Sequence, residues 1–292
     1  MSLNAPPYPL VLSVKMEPSP ETPAELYLDL MKKTLTRALI AKGIDRRTIQ
    51  PDGPKSRLIH KFNTMVRNYG LEAVRLGKSS AEDYLESGHS ATNRIEDAET
   101  MLGTRQFDMM QRCIADVIEH DVPGDLLEAG VWRGGMTIFM RAALAAHQVK
   151  NRNVWVVDSF SGLPEIDKKR ETFVWKSGDM AVSIEEVKAN FARYGLLDGQ
   201  VKFLKGFFSD TLPTAPIGKL AVLRVDADLY TSTVDVLQNL YSHLSPGGYA
   251  VFDDYHNLAD CRRAIDEFRS QQGISEEIVR IDQRAVYWRK NN

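Results

Sequence analysis

Two apolar runs, Leu220-Ala221-Val222-Leu223-Arg224-Val225 and Tyr249-Ala250-Val251-Phe252, each end in acidic residues. Asp226 and Asp228 follow the first, and Asp253 and Asp254 follow the second. Runs of this length and composition, bounded by turn signals, read as strands buried on both faces. In an open parallel sheet the ligand lies beyond the carboxyl ends of the strands, so neighbouring strands would aim four carboxylates into one crevice. Such a cluster is costly without a cation, and hard oxygen donors suit magnesium, calcium or manganese. Asp226 and Asp228 stand two apart, so continued strand geometry puts them on one side. One can then hold metal while the other meets a substrate; spacing alone does not decide which.

A second constellation lies upstream in Glu128-Ala129-Gly130-Val131-Trp132-Arg133-Gly134-Gly135, between a strand-like run and a helix-like one. Glycines here let the backbone turn tightly and approach a ligand at a helix N-terminus. The order is not G-x-G-x-x-G, and Glu128 would repel a pyrophosphate, so a cationic ligand is the better match. The next strand-like run ends at Asp158, 28 residues after Gly130. That is near the spacing at which an acidic strand tip accepts ribose hydroxyls, the alternative being a solvated strand end. Further on, Gly206-Phe207-Phe208-Ser209-Asp210-Thr211-Leu212-Pro213 offers an aromatic or a Ser209–Asp210 pair to an adenine, unless Asp210 only caps a helical turn.

The scaffold that must hold these residues has an alternating grammar. After Gly124, strands are predicted over 125–129, 153–158, 201–205, 219–226 and 249–252, and helices over 137–147, 184–194, 231–244 and 259–271. Strand-like 278–281 and 285–288, split by Asp282-Gln283-Arg284, predict a closing hairpin. The fold class expected is α/β and Rossmann-like: a mostly parallel seven-stranded sheet with an antiparallel C-terminal hairpin strand and an N-terminal helical cap. Residues 1–22, with five prolines, read as an arm or leader. A helix is expected from Pro23 through Leu39 to a stop at Gly43, a second around Leu58–Tyr69 after a turn at Asp52-Gly53-Pro54, and a third over 105–120. The polar stretch 77–97 predicts a mobile lid, and no strand is expected in this front end. The division expected is therefore 1–22, a cap and lid over 23–120, and a ligand-binding domain over 121–292.

Charge is nearly balanced, 37 basic against 39 acidic residues, which favours neither nucleic acid nor an anionic membrane. Cys113 and Cys261 make no disulfide framework and read as buried thiols. No apolar run approaches the ~20 residues of a membrane span, and the opening residues lack the basic segment of a signal peptide. A cytoplasmic protein is expected.

Taken together, Glu128–Gly135, Asp158-Ser159-Phe160-Ser161-Gly162-Leu163-Pro164, Gly206–Pro213, Arg224–Thr233 and Leu244–His256 resemble the macrocin-type (TylF-like) sugar O-methyltransferases. Tyr27–Leu30, Lys32–Leu35 and Thr100-Met101-Leu102-Gly103 extend the resemblance over residues 24–290. Among members, the chain is most similar to the noviose 4-O-methyltransferases of aminocoumarin pathways. The resemblance implies a class I methyltransferase using S-adenosylmethionine and magnesium on a small-molecule glycoside. It implies Glu128, with Gly130, near the methionine part of the cofactor, and Asp158 on its ribose with Ser159 beside it. Ser209 and Asp210 are then near the adenine, and Met101 is at the cofactor's edge. Magnesium is implied on Asp226, Asp253 and Asp254, with Asp228 as general base. Position 129 is Ala where relatives often carry Cys, a small-for-small change.

The chemistry suits the carboxylates independently. A cation stabilises the charge developing on a sugar oxygen, and a carboxylate in reach removes its proton. Two rivals stand beside this reading. Asp226-Ala227-Asp228 is also the D-x-D of a metal-dependent glycosyltransferase, and a non-catalytic nucleotide-binding module would share the fold. His256 is a further candidate base. Arg224, a charge inside an apolar strand, demands an acidic partner that the sequence does not identify. The helix at 24–42 is expected to bury apolar surface against a second subunit, as a homodimer.

Overall fold

The computed structural model describes residues 22–39, 98–172 and 175–291, together with the backbone of 45–47 and 75–77. The second helix expected around 58–69 and, apart from Gly77, the lid expected over 77–97 lie outside the described residues.

The first helix, α1 (Pro23–Leu35), begins with Thr22 as its cap. The Thr22 hydroxyl accepts from the Glu25 amide at 3.2 Å while the Glu25 carboxylate accepts from the Thr22 amide at 2.9 Å. This reciprocal pair satisfies two amides that the first turn cannot. The helix stops short of Gly43. Thr36 turns its hydroxyl back to the Lys32 carbonyl at 2.8 Å, and Arg37 takes a left-handed φ of 60°. Leu39, counted as helical from its spacing, is exposed. The front end also contains strands, contrary to expectation: β1 (Asp45–Arg47) pairs antiparallel with β2 (Arg75–Gly77). Three-residue strands carry too little periodicity to be read from sequence.

After α2 (Thr104–Glu119) the alternating unit follows: β3 (Asp125–Ala129), α3 (Gly135–Ala146), β4 (Val154–Asp158), α4 (Ile184–Arg193) and β5 (Val201–Lys205). A short turn of helix, α5 (Phe208–Thr211), leads to β6 (Leu220–Val225), α6 (Tyr230–Leu240), β7 (Leu244–Phe252), α7 (Ala259–Gln272), β8 (Val279–Arg280) and β9 (Val286–Arg289). The seven strands lie in the order β5-β4-β3-β6-β7-β9-β8. All neighbours from β5 to β7 are parallel, and β9 runs antiparallel to both β7 and β8. The closing hairpin is thus present, with β9 as its antiparallel strand.

Alternation sorts the strand residues into two cores. Leu126, Val156, Val222 and Val251 pack with α1, α2, α3 and α4 on one face. Leu127, Val157, Leu223, Ala250 and Phe252 pack on the other with Val236 and Leu237 of α6 and Ile265 and Phe268 of α7. Both cysteines are buried and unpaired. The strand order reverses direction between β3 and β6, and the crevice beyond their carboxyl ends is where such sheets bind ligands.

Candidate active site

A cavity of about 860 Å³ opens there. Its wall is assembled from the ends of β3, β4, β6 and β7, a size and position usual for a small-molecule site.

Backbone hydrogen bonds carry the sheet one step past its strands. Gly130 donates to Val157 at 2.9 Å, Asp226 to Ala129 at 2.8 Å and Asp253 to Val225 at 3.1 Å. Gly130 has a φ of 85°, and a Cβ there would stand 1.8 Å from the Asp226 carbonyl oxygen. Only glycine lets the turn after β3 lie against the end of β6. A second close approach occurs at Gly135, whose amide donates to the Glu99 carbonyl at 3.0 Å. This contact docks residues 98–102 beside the start of α3. Arg37 grips the Glu99 carboxylate at 2.9 Å and Tyr194 donates to it at 2.9 Å, so Met101 is held on the cavity wall.

Asp158 ends β4 with both oxygens occupied. Val131 donates to Oδ2 at 2.8 Å and Phe160 to Oδ1 at 2.7 Å. Burial raises its pKa, and those amides oppose the rise. Each oxygen keeps a lone pair for a ligand hydroxyl. Ser159 lines the cavity but spends its hydroxyl on the Gly162 carbonyl at 2.6 Å, closing a local turn. Ser209 also lines the cavity. Asp210 is exposed and accepts from the Ser209 hydroxyl at 2.9 Å; it is not part of the cavity wall, which carries Asp235 of α6.

The acidic residues converge, but the grouping differs from the expected metal set Asp226, Asp253 and Asp254: Asp228 joins Asp226 and Asp254, and Asp253 is not in the group. Oxygens of Asp226, Asp228 and Asp254 all lie within 4.8 Å of one another. β6 ends at Val225, so Asp228 does not follow from continued strand alternation. It takes a left-handed φ of 58° in a tight turn where Leu229 donates to Ala227 at 2.6 Å. Burial and the neighbouring charges of Asp226 and Asp253 push Asp228 up to about 8. Burial and Asp253 push Asp226 to about 6, and burial with Asp228 raises Asp254 strongly. Asp254 accepts from Asn257 at 2.8 Å through Oδ1, while its Oδ2 is buried without a partner. Asp253 faces the cavity but commits Oδ1 to Arg224 at 2.9 Å. Converging hard donors with an orphaned buried oxygen fit a divalent cation.

Arg224 has the partners the sequence did not identify. It is fully buried and bonds Glu128, Asp226 at 2.8 Å and Asp253. Glu128, itself buried, keeps Oε2 without a partner on the cavity side of the sheet, and burial lifts its pKa to about 8. A buried acceptor of this kind fits a cationic ligand group. His256 is exposed and outside the cavity wall, its amide donating to Arg284 at 2.9 Å.

The segment between β4 and α4 roofs the cavity with Leu163, Trp175 and Met180. Glu171 pins it by accepting from the Tyr230 and Thr231 amides at 3.0 and 3.1 Å, capping α6 from outside. Thr172 donates to Asp260 of α7 through its amide and its hydroxyl, at 2.6 and 2.8 Å. Sequence reading did not single out Asp235 and Arg284 of this wall; Asp235 lies mid-helix in α6 and Arg284 in the hairpin turn, and neither position carries a spacing signal.

Among known proteins, the family model described as macrocin-O-methyltransferase (TylF) matches residues 24–290. Mycinamicin III 3''-O-methyltransferase of Micromonospora griseorubida is 42% identical, over 94% of this chain and 99% of its own. Demethyldecarbamoylnovobiocin O-methyltransferase of Streptomyces niveus is 41% identical, over 91% and 94%. The 8-demethyl-8-(2,3-dimethoxy-alpha-L-rhamnosyl)-tetracenomycin-C 4'-O-methyltransferase of Streptomyces olivaceus is 44% identical, over 92% and 94%. The solved structure of the O-methyltransferase NovP superposes with a TM-score of 0.75 at 39% identity, covering 92% of this chain and all of that one.

Proposed function

The chain belongs to the macrocin O-methyltransferase family, and from that premise we propose that it transfers a methyl group from S-adenosylmethionine to a sugar hydroxyl of a glycosylated antibiotic, with magnesium. The glycosyltransferase and binding-module readings fall with the family. The observation that carries the proposal is the carboxylate group Asp226, Asp228 and Asp254 beside the same cavity that Glu128 and Asp158 face.

In this reading Glu128 receives the cofactor's ammonium on its unpartnered Oε2, and Asp158, fixed by two backbone amides, receives ribose hydroxyls. Met101, Gly130 and Ser159 line the cofactor's path. Ser209 meets the adenine, with Asp210 holding its hydroxyl from outside. Asp226 and Asp254 hold the cation, and Asp253 contributes its second oxygen because Arg224 holds the first. When bound, the cation lowers the cost of negative charge on the acceptor oxygen. Asp228 takes the hydroxyl proton as general base. The roof segment, with Trp175 and Met180 on its cavity side, would then shield the reacting oxygen from water.

The three relatives, 41–44% identical, are named for different acceptors. What supports a sugar acceptor is the rhamnosyl group in one of those names, and the noviose 4-hydroxyl of an aminocoumarin is the first acceptor to test. Incubation with methyl-labelled S-adenosylmethionine and a panel of antibiotic glycosides should label a sugar oxygen. A chelator should abolish the transfer and magnesium restore it. Undiminished labelling in chelator would remove the metal from the proposal, and an unlabelled panel would remove the acceptor class.

A further inference from the structure

Arg224 sits in the middle of β6, in register with Glu128 of β3 on one side and Val251 of β7 on the other. Side chains two apart on a strand share a face. Asp226 is two beyond Arg224, and Asp253 is two beyond Val251. The pleat therefore puts Glu128, Arg224, Asp226 and Asp253 on one face, the face covered by α2. Gln106 of α2 reaches down to complete the set, accepting from Arg224 Nη2 at 3.2 Å. Gln106 in turn donates to Asp282 at 3.1 Å, and Asp282 accepts from the Arg284 and Ala285 amides at 2.8 Å each.

The guanidinium divides its donors between two ligand regions. Nη1 bonds one oxygen of Glu128 and Oδ2 of Asp226; Nη2 bonds Oδ1 of Asp253. Its Nε has no partner. One positive charge faces two buried carboxylates, Glu128 and Asp253, and the partly exposed Asp226, and buried charges of this kind are held only when paired. Each carboxylate spends one oxygen on Arg224 and keeps the other for the cavity.

We infer that Arg224 is a positioning residue that sets the free oxygens of Glu128 and of Asp226 and Asp253 together, so that one side chain orders both the cofactor's cationic end and the metal site. This rests on the functional reading above. Lysine retains the charge but is a single point donor that cannot span the set.

The test compares wild type and Arg224→Lys as full-length protein. S-adenosylhomocysteine binding is read by calorimetry without metal, and manganese binding by electron paramagnetic resonance. Wild type must bind both probes; if it binds neither, the functional reading itself fails. Given binding, Arg224→Lys should weaken both probes by about 10–100-fold, the usual effect of displacing a group that orients ligands. Excess magnesium should recover kcat while the KM for S-adenosylmethionine stays raised. A merely structural residue would lower the folded fraction and leave both affinities of that fraction unchanged, and that result overturns the inference. Loss of one affinity alone also overturns it. Should Arg224→Lys not fold, Gln106→Met decides. It leaves the guanidinium in place but removes the acceptor on Nη2, and it should weaken both probes in the same direction, whereas unchanged affinities overturn the inference.

Discussion

Asp228 holds a left-handed backbone conformation that costs a non-glycine residue of order 1–3 kcal/mol, the kind of strain that collects at active sites. The turn lifts its carboxylate toward Asp254 instead of leaving it on the strand's own path. Asp228→Asn keeps size and turn but cannot take a proton. We expect its methyl transfer to fall by roughly 10²–10⁴-fold, with magnesium and S-adenosylhomocysteine affinities near wild type. Asp226→Asn should weaken the metal instead and recover in part with added magnesium. Paired metal titrations and rates on the two variants decide. If Asp228→Asn is the one rescued by magnesium, the roles are exchanged.

Among the elements, the turn after β3 carries the tightest constraint. Gly130→Ala would drive a methyl into the Asp226 carbonyl, so the end of β6 and its carboxylate must shift. We expect a soluble variant with transfer reduced at least about 100-fold, since misplacing reacting groups by an ångström has that effect. Near-normal turnover would show that the turn can open. The helices offer a separate check in Arg141 of α3, whose Nε lies 3.1 Å from both oxygens of Asp198 beyond α4. Those hydrogen bonds hold the Asp198 carboxyl below its ordinary range. A lowered folded value stabilises the protein above the unfolded pKa and ceases to do so as pH falls through the folded one. Because Asp198 is partly exposed, the gain is at most ~1 kcal/mol. Asp198→Asn should lower Tm by about 1–3 °C at pH 7, with the gap closing below about pH 4. A gap independent of pH would assign the effect to packing.

For the molecule as a whole, the sheet and the acidic tips were legible because buried strands announce themselves as Val- and Leu-rich runs, and charges after such runs have few places to go. The partners of Arg224 were not legible. Glu128 is 96 positions away, and only the register between β3 and β6 brings the two together. The β1–β2 pair escaped because three-residue strands carry too little periodicity, and the end of α1 escaped because it is decided by one side-chain hydrogen bond and one φ angle, which leave no period. Asp210 was misplaced from the cavity because its motif fixes a helical turn and not which way the turn faces. Among the described residues no helix is long and apolar enough to cross a membrane. On α1, Leu26 and Leu30 are 59% and 51% exposed, one turn apart. We expect this face to be covered in a homodimer, seen by sedimentation at micromolar concentration. Replacing both leucines with glutamate should give monomers, and a monomeric wild type would refute the expectation.

The roof segment has a consequence for how such a protein can change. Its anchors, Glu171 on α6 and Thr172 on α7, lie apart from its cavity-facing side chains Leu163, Trp175 and Met180. The carboxylates stand on the sheet below. Substitutions in the roof can therefore reshape what fits under it while the anchors keep its position and the floor keeps its chemistry. We expect exchanges in the roof to alter which molecule is held while the geometry of the carboxylates stays unchanged, so that the two can vary independently.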